Sequence, residues 1–185
     1  MWIEPSILAT SNLGDKFNIT VWLNVTQKSF AWQIKLYFNS THIRATKIGY
    51  TNGNRSAFFS EFSSMPITPI INNEEGYILH GETLLGNVER ASGYGSLIWV
   101  EFNLIQIPPQ NHVTLNFSVP YGIDTFILTS YFDTIPFEIV DGAIISVVTK
   151  PPILLYLGII TLVTIMLGTV VTIWIFMRRR LKKHE

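Results

Sequence analysis

The chain predicts an all-β protein, an antiparallel β-sandwich or barrel, followed by one transmembrane α-helix near its C-terminal end. Three observations carry this. Apolar residues before position 149 fall in short runs of period two, cut by clusters of Gly, Pro and Asn, the pattern of half-buried strands joined by turns. No long stretch of that region shows the apolar stripe of a surface helix. Residues 153–177 then form an uncharged apolar run, closed at once by Arg178, Arg179, Arg180, Lys182 and Lys183.

The strands follow in order. Over Phe17–Val25, Phe17, Ile19, Val21, Leu23 and Val25 share one face, and Asn18, Thr20, Trp22 and Asn24 the other. Trp22 on the outer face calls for a cover, either a glycan or a neighbouring loop. Ala31–Phe38 repeats the pattern, with Trp32, Ile34, Leu36 and Phe38 inward and Gln33 and Lys35 outward. Gly76–Gly81 is a shorter strand. Ser96–Ile105 is apolar on both faces near its middle, as a central strand would be. Val113–Val119, Phe126–Thr129 and Ala143–Val148 complete the set, and Gly81–Gly95 is left to a loop or a single helical turn. Turn chemistry sits at residues 51–54, 66–73, 108–111, 120–122 and 141–142.

At about 1.5 Å per residue, the 153–177 run makes a helix of roughly 37 Å, enough to cross a hydrocarbon core of about 30 Å with some tilt. The basic cluster marks the cytoplasmic side. The expected organisation is an external domain over 1–149, a Pro-Pro joint at 150–152, the span at 153–177 and a basic cytoplasmic tail at 178–185. The bilayer is then the first partner, and the cell membrane the location.

The net charge of zero hides an asymmetry. Residues 1–149 carry seven Lys/Arg and twelve Asp/Glu, a balance of −5, and residues 150–185 carry +5. An acidic domain argues against nucleic acid as a partner. There is no cysteine, which removes thiol catalysis and thiolate metal sites and points away from a disulfide-stapled secreted domain. Residues 1–11 lack the basic and apolar regions of a signal peptide. An external domain needs export, so either a leader was removed or the C-terminal helix acts as a tail anchor, which would leave the domain in the cytosol. Five Asn-x-Ser/Thr triplets, at Asn18, Asn24, Asn39, Asn54 and Asn116, favour the outside; chance would supply about two. Sequons without cysteine, above an Arg-rich tail, suggest an archaeal surface glycoprotein.

The order of features resembles the cohesin-like domains of cellulosome scaffoldins and archaeal surface proteins, over about residues 4–148. Gly14-Asp-Lys-Phe17, leading into the first long strand, resembles the family's Gly-Asp-x-Phe-x-Val opening. Phe30–Asn39 resembles its second strand, Ser92–Phe102 its Gly-x-Leu-x-x-Ile-x-Phe strand, and Asp141–Val147 its terminal Asp-Gly-x-Ile-x-Val strand. The resemblance implies a jelly-roll sandwich of about nine strands. It also implies a protein partner, since scaffoldin domains bind calcium-loaded dockerin modules through one sheet face. No motif here transfers dockerin-contact residues, and sequons on the outer faces would obstruct a flat contact.

Catalytic chemistry is not legible. His42, His80, His112 and His184 lack metal spacing. Asp15, Asp124, Asp133 and Asp141 stand in turn-like contexts without an Asp-x-Asp-x-Asp calcium loop, so no cofactor is expected and calcium has no motif behind it. Glu74-Glu75 are adjacent in a polar loop, where the side chains need not converge. Trp2, Trp22, Tyr50 and Tyr94 are the residues a sugar platform would use, though strand spacing also suits them to packing. The expected function is a non-enzymatic, membrane-anchored surface protein whose domain binds a dockerin-like protein or another envelope component. The rivals are a carbohydrate-binding module and an accessory subunit of a membrane transport or secretion complex.

Overall fold

The computed structural model describes residues 1–10, 12–86, 91–110, 112–117, 124–140 and 144–147. The chain separates into Met1–Val148 and Thr149–Glu185. The second unit, with the expected span at 153–177, the joint at 150–152 and the basic residues Arg178, Arg179, Arg180, Lys182 and Lys183, lies outside the described residues. Among the described residues, no helix is long and apolar enough to cross a membrane.

Twelve strand segments are described: β1 (Trp2–Glu4), β2 (Ile7–Thr10), β3 (Lys16–Ser29), β4 (Ala31–Phe38), β5 (Ile43–Gly49), β6 (Ser64–Pro66), β7 (Ile70–Asn72), β8 (Tyr77–Leu84), β9 (Ala91–Leu104), β10 (His112–Phe117), β11 (Phe126–Leu128) and β12 (Ile144–Val147). A 3-10 turn at Ala57–Phe59 is the one helical element among them. The smaller sheet runs β1-β3-β9-β5, and the larger β2-β12-β10-β4-β8-β6. The count exceeds the expected nine because breaks divide strands: β6 and β7 both pair with β8, and β10 and β11 both pair with β4. Pairing is antiparallel as expected, except that β12 runs parallel to β2. The chain changes sheets at Pro5-Ser6, so β1 borders β3 while β2 joins the other layer.

Alternation built the core as read. Phe17, Ile19, Val21, Leu23 and Val25 of β3 are buried, and so are Trp32, Ile34, Leu36 and Phe38 of β4. The layers meet edge to face, with Phe38 of β4 5.2 Å from Phe102 of β9. One expectation needs correction. β9 is central in its sheet, but its apolar run on both parities comes from a bulge: Val21 faces Ile98 and Trp22 faces Ser96, leaving Leu97 as the extra residue. Leu97 and Ile98 are both fully buried, while the outward Trp99, Glu101 and Asn103 are half-buried. The segment 81–95, read as a loop or a single helical turn, is mostly strand: β8 continues to Leu84 and β9 starts at Ala91. The Pro66–Asn73 region, read as turn, contributes β6 and β7 at the edge of the larger sheet.

Candidate functional site

The outer face of the larger sheet carries an apolar row along β8. Met65 of β6 pairs with Thr83, and Ile70 of β7 with Leu79. Between them Ile67 donates its backbone N–H to Gly81 O at 2.9 Å. Met65 is 53% exposed and Ile67 51%, with Ile70 exposed beside them. Tyr77 of β8 pairs with Tyr37 of β4, and their rings meet edge to face at 6.2 Å. Lys35 stands beside the row. Its ammonium lies 4.8 Å from the Tyr77 ring and 5.2 Å from the Tyr37 ring, and pairs with Asp124 Oδ2 at 3.2 Å. Hydrogen bonding to Tyr37, then to Asp124, raises its pKa above the usual lysine value. Pro66 and Pro69 remove backbone donors from this edge, so strand addition is disfavoured and the face is what a partner can meet.

The smaller sheet presents a different outer face. Trp2, Trp22 and Tyr94 come from β1, β3 and β9. Trp22 and Tyr94 stack at 4.8 Å and 15°, Trp2 and Tyr94 at 5.6 Å and 28°, and Trp2 and Trp22 at 6.5 Å and 14°. Tyr94, 60% exposed, thus overlies both indoles. Trp2 Nε1 donates to Glu4 Oε1 at 3.1 Å, whereas Trp22 Nε1 is buried without a hydrogen-bond partner. Trp22 is covered by this pair of rings from the flanking strands β1 and β9, not by the neighbouring loop expected. Further along, Glu101 accepts from the Thr46 hydroxyl at 2.7 Å and pairs with Lys16 at 3.1 Å; the Thr46 bond, then Lys16, lowers its pKa.

A third feature is buried and was not legible as a site. Ile78, His80, Glu82 and Leu84 share the inward parity of β8, so two polar side chains occupy core positions: His80 is 3% and Glu82 1% exposed. The Tyr50 hydroxyl and His80 Nε2 share a 2.6 Å hydrogen bond. Glu82 accepts from Ser56 N–H at 3.1 Å and from the Ser64 hydroxyl at 2.6 Å. Burial pushes His80 down to about 4, with the Ile67 backbone opposing; burial, then the nearby Glu82, raises Tyr50. The signal in the sequence was parity, since His80 and Glu82 interrupt an Ile-x-x-x-x-x-Leu core register.

The sequons fall in four settings. Asn18 and Asn24 are exposed on β3, registered against Glu101 and Tyr94. Asn39 begins the turn after β4, where its Oδ1 accepts from Thr41 N–H at 3.0 Å. Asn54 lies in the Asn52–Arg55 turn; Ser56 of that triplet is fully buried and caps the 3-10 turn by accepting from Phe59 N–H. Asn116 is exposed on β10, opposite Tyr37, and Ser118 lies outside the described residues. Of the sugar-platform residues, Trp2, Trp22 and Tyr94 come together, while Tyr50 belongs with His80. The histidines and aspartates do not converge: among the described residues no group of three His, Asp or Glu is arranged for a metal ion. Asp15 accepts from Asn12 N–H at 2.9 Å, and Asp141 and His184 lie outside. An open groove of about 440 Å³ beside β11 is lined by Thr125, Thr134, Ile135, Pro136 and Phe137, without a titratable side chain among those residues.

No known protein-family profile matches the chain, and no curated protein matches it in sequence. Solved structures do match in fold. A type II cohesin domain from the cellulosome of Acetivibrio cellulolyticus aligns with a TM-score of 0.60 at 14% identity, covering 78% of this chain and 92% of that one. A non-cellulosomal cohesin from the archaeon Archaeoglobus fulgidus aligns at 0.56 and 15%, covering 77% and 89%. A type II cohesin–X–dockerin complex from Acetivibrio cellulolyticus aligns at 0.56 and 15%, covering 74% and 92%. The described residues thus form an all-β sandwich with the fold of the cohesins.

Proposed function

We propose that the protein is a non-enzymatic assembly module that docks a second protein on the outer face of its larger sheet. The carrying observation is the row Met65, Ile67 and Ile70 beside Tyr77, Tyr37 and Lys35. Exposed apolar side chains in contiguous array, bordered by aromatics and a cation, form the kind of surface that binding desolvates. A protein of this fold has been solved in a complex with a dockerin, and a dockerin-like module or another envelope component is the partner class we assign. The span at 153–177 and the cluster Arg178–Lys183 support display at the outer surface of a cell membrane, with the C-terminus cytoplasmic. No cofactor enters the reading.

The test is affinity capture from native membranes with the full chain and the double variant Ile67→Asp/Leu79→Asp. Charge placed in the row should reduce recovery of the identified partner at least tenfold, whereas Thr20→Asp on the opposite face should leave it unchanged. Equal recovery with all three chains would sink the face assignment, and hydrolase turnover by the purified protein would sink the non-enzymatic reading.

A further inference from the structure

We infer that the stacked rings of Trp2, Trp22 and Tyr94 are a seat for carbohydrate, and that the occupant is an N-linked glycan carried by Asn24 of the same chain. Asn24 is registered directly against Tyr94 across β3 and β9. Directly opposed residues lie about 5 Å apart, so the first sugar of a glycan on Asn24 begins beside the Tyr94 ring. Trp22, two residues earlier on the same strand face, stacks beneath that ring at 4.8 Å. The three planes lie within 28° of one another, and Tyr94 lies over both indoles, so the apolar surface offered to a sugar is the exposed Tyr94 ring backed by the two indoles. The C–H face of a pyranose matches such a surface, and its hydroxyls remain in water.

The other sequons lack this setting. Asn18 faces Glu101 and its Lys16 and Thr46 partners. Asn39 and Asn54 stand in turns. Asn116 faces a single ring, Tyr37, already taken by the Lys35 ammonium and the edge of Tyr77. A glycan on Asn24 would cover this outward aromatic cluster of the smaller sheet and leave the larger sheet as the open face. The inference rests on the export reading above, since these glycans are added to exported chains.

The test uses the full chain made in a host that glycosylates Asn-x-Ser/Thr, with the variants Asn24→Gln, Asn18→Gln, Tyr94→Ala and Tyr94→Phe. Glycopeptide mass spectrometry reads occupancy, and Tm is compared before and after enzymatic glycan removal. Asn24 should be occupied. Removal should lower Tm by about 2–4 °C in the parent, Asn18→Gln and Tyr94→Phe chains, and that shift should vanish in Asn24→Gln and Tyr94→Ala. Asn24 empty while other sequons are filled, or an undiminished shift in Tyr94→Ala, overturns the inference alone. All five asparagines bare overturns it together with the export reading.

Discussion

Glu82 holds two donors at once, the Ser56 backbone and the Ser64 hydroxyl, and so ties the segment between β5 and β6 to a core position of β8. Glu82→Ala leaves the buried Ser56 N–H and the half-buried Ser64 hydroxyl without their acceptor. Each such group costs about 1–3 kcal/mol, so the variant should lose about 2–4 kcal/mol in urea unfolding, visible as a lower midpoint at unchanged slope. His80 gives the fold a pH dependence. Its pKa of about 4 in the folded chain lies below its ordinary 6.5. Between those values the unfolded chain binds a proton that the folded chain excludes, so stability falls as pH drops from about 6.5 to 4 and this group adds no further loss below. At about 1.4 kcal/mol per unit, the loss is about 3 kcal/mol. Unfolding midpoints of wild type and His80→Phe across that window check it, with a flatter dependence expected in the variant. Both residues were hard to read as a site because alternation sorts residues by face, and a polar residue on the inward parity is visible only once the strand's register is known.

Strands with a clean apolar face were legible: β3, β4 and β10 lie close to where alternation puts them. Those missed share physical reasons. β5 carries Arg44, Thr46 and Lys47 and is bulged at Thr46 on the sheet edge, so its period is broken where pairing ends. β6 and β7 have three residues each beside prolines, too short for periodicity. β9 was found, but its bulge at Leu97 made a one-sided strand look two-sided. The glycine in front of that bulge has a packing cause. A Cβ at Gly95 would stand 2.6 Å from Phe58 Cα and 2.8 Å from its N, because the 3-10 turn lies with its backbone on β9. Phe58 and Phe59 bury their rings from that position. Gly95→Ala should therefore push the turn off the sheet and cost about 1–3 kcal/mol as overpacking, with near-ultraviolet circular dichroism reporting altered aromatic packing.

At the scale of the molecule, the two sheets turn unlike faces to solvent, one with an apolar row and a tethered cation, the other with stacked aromatics beside a sequon. The alternation on β3 already placed Trp22 with Asn18 and Asn24, so the second face was partly legible. The first was not, since Met65, Ile67 and Ile70 lie in a proline-broken stretch that gains a face only by pairing with β8. If the larger sheet docks the partner, Asn116→Gln should not weaken capture, since any glycan on that side of the sheet could only hinder it; recovery in quantitative mass spectrometry checks this. The most direct measurement is site-specific photocrosslinking in native membranes, with the photoreactive residue at Leu79 or, in a second chain, at Thr20. The account predicts one identified protein joined through position 79, absent from position 20 and lost when Ile67→Asp is added. The same protein captured equally from both positions, or captured through position 20 alone, would contradict it.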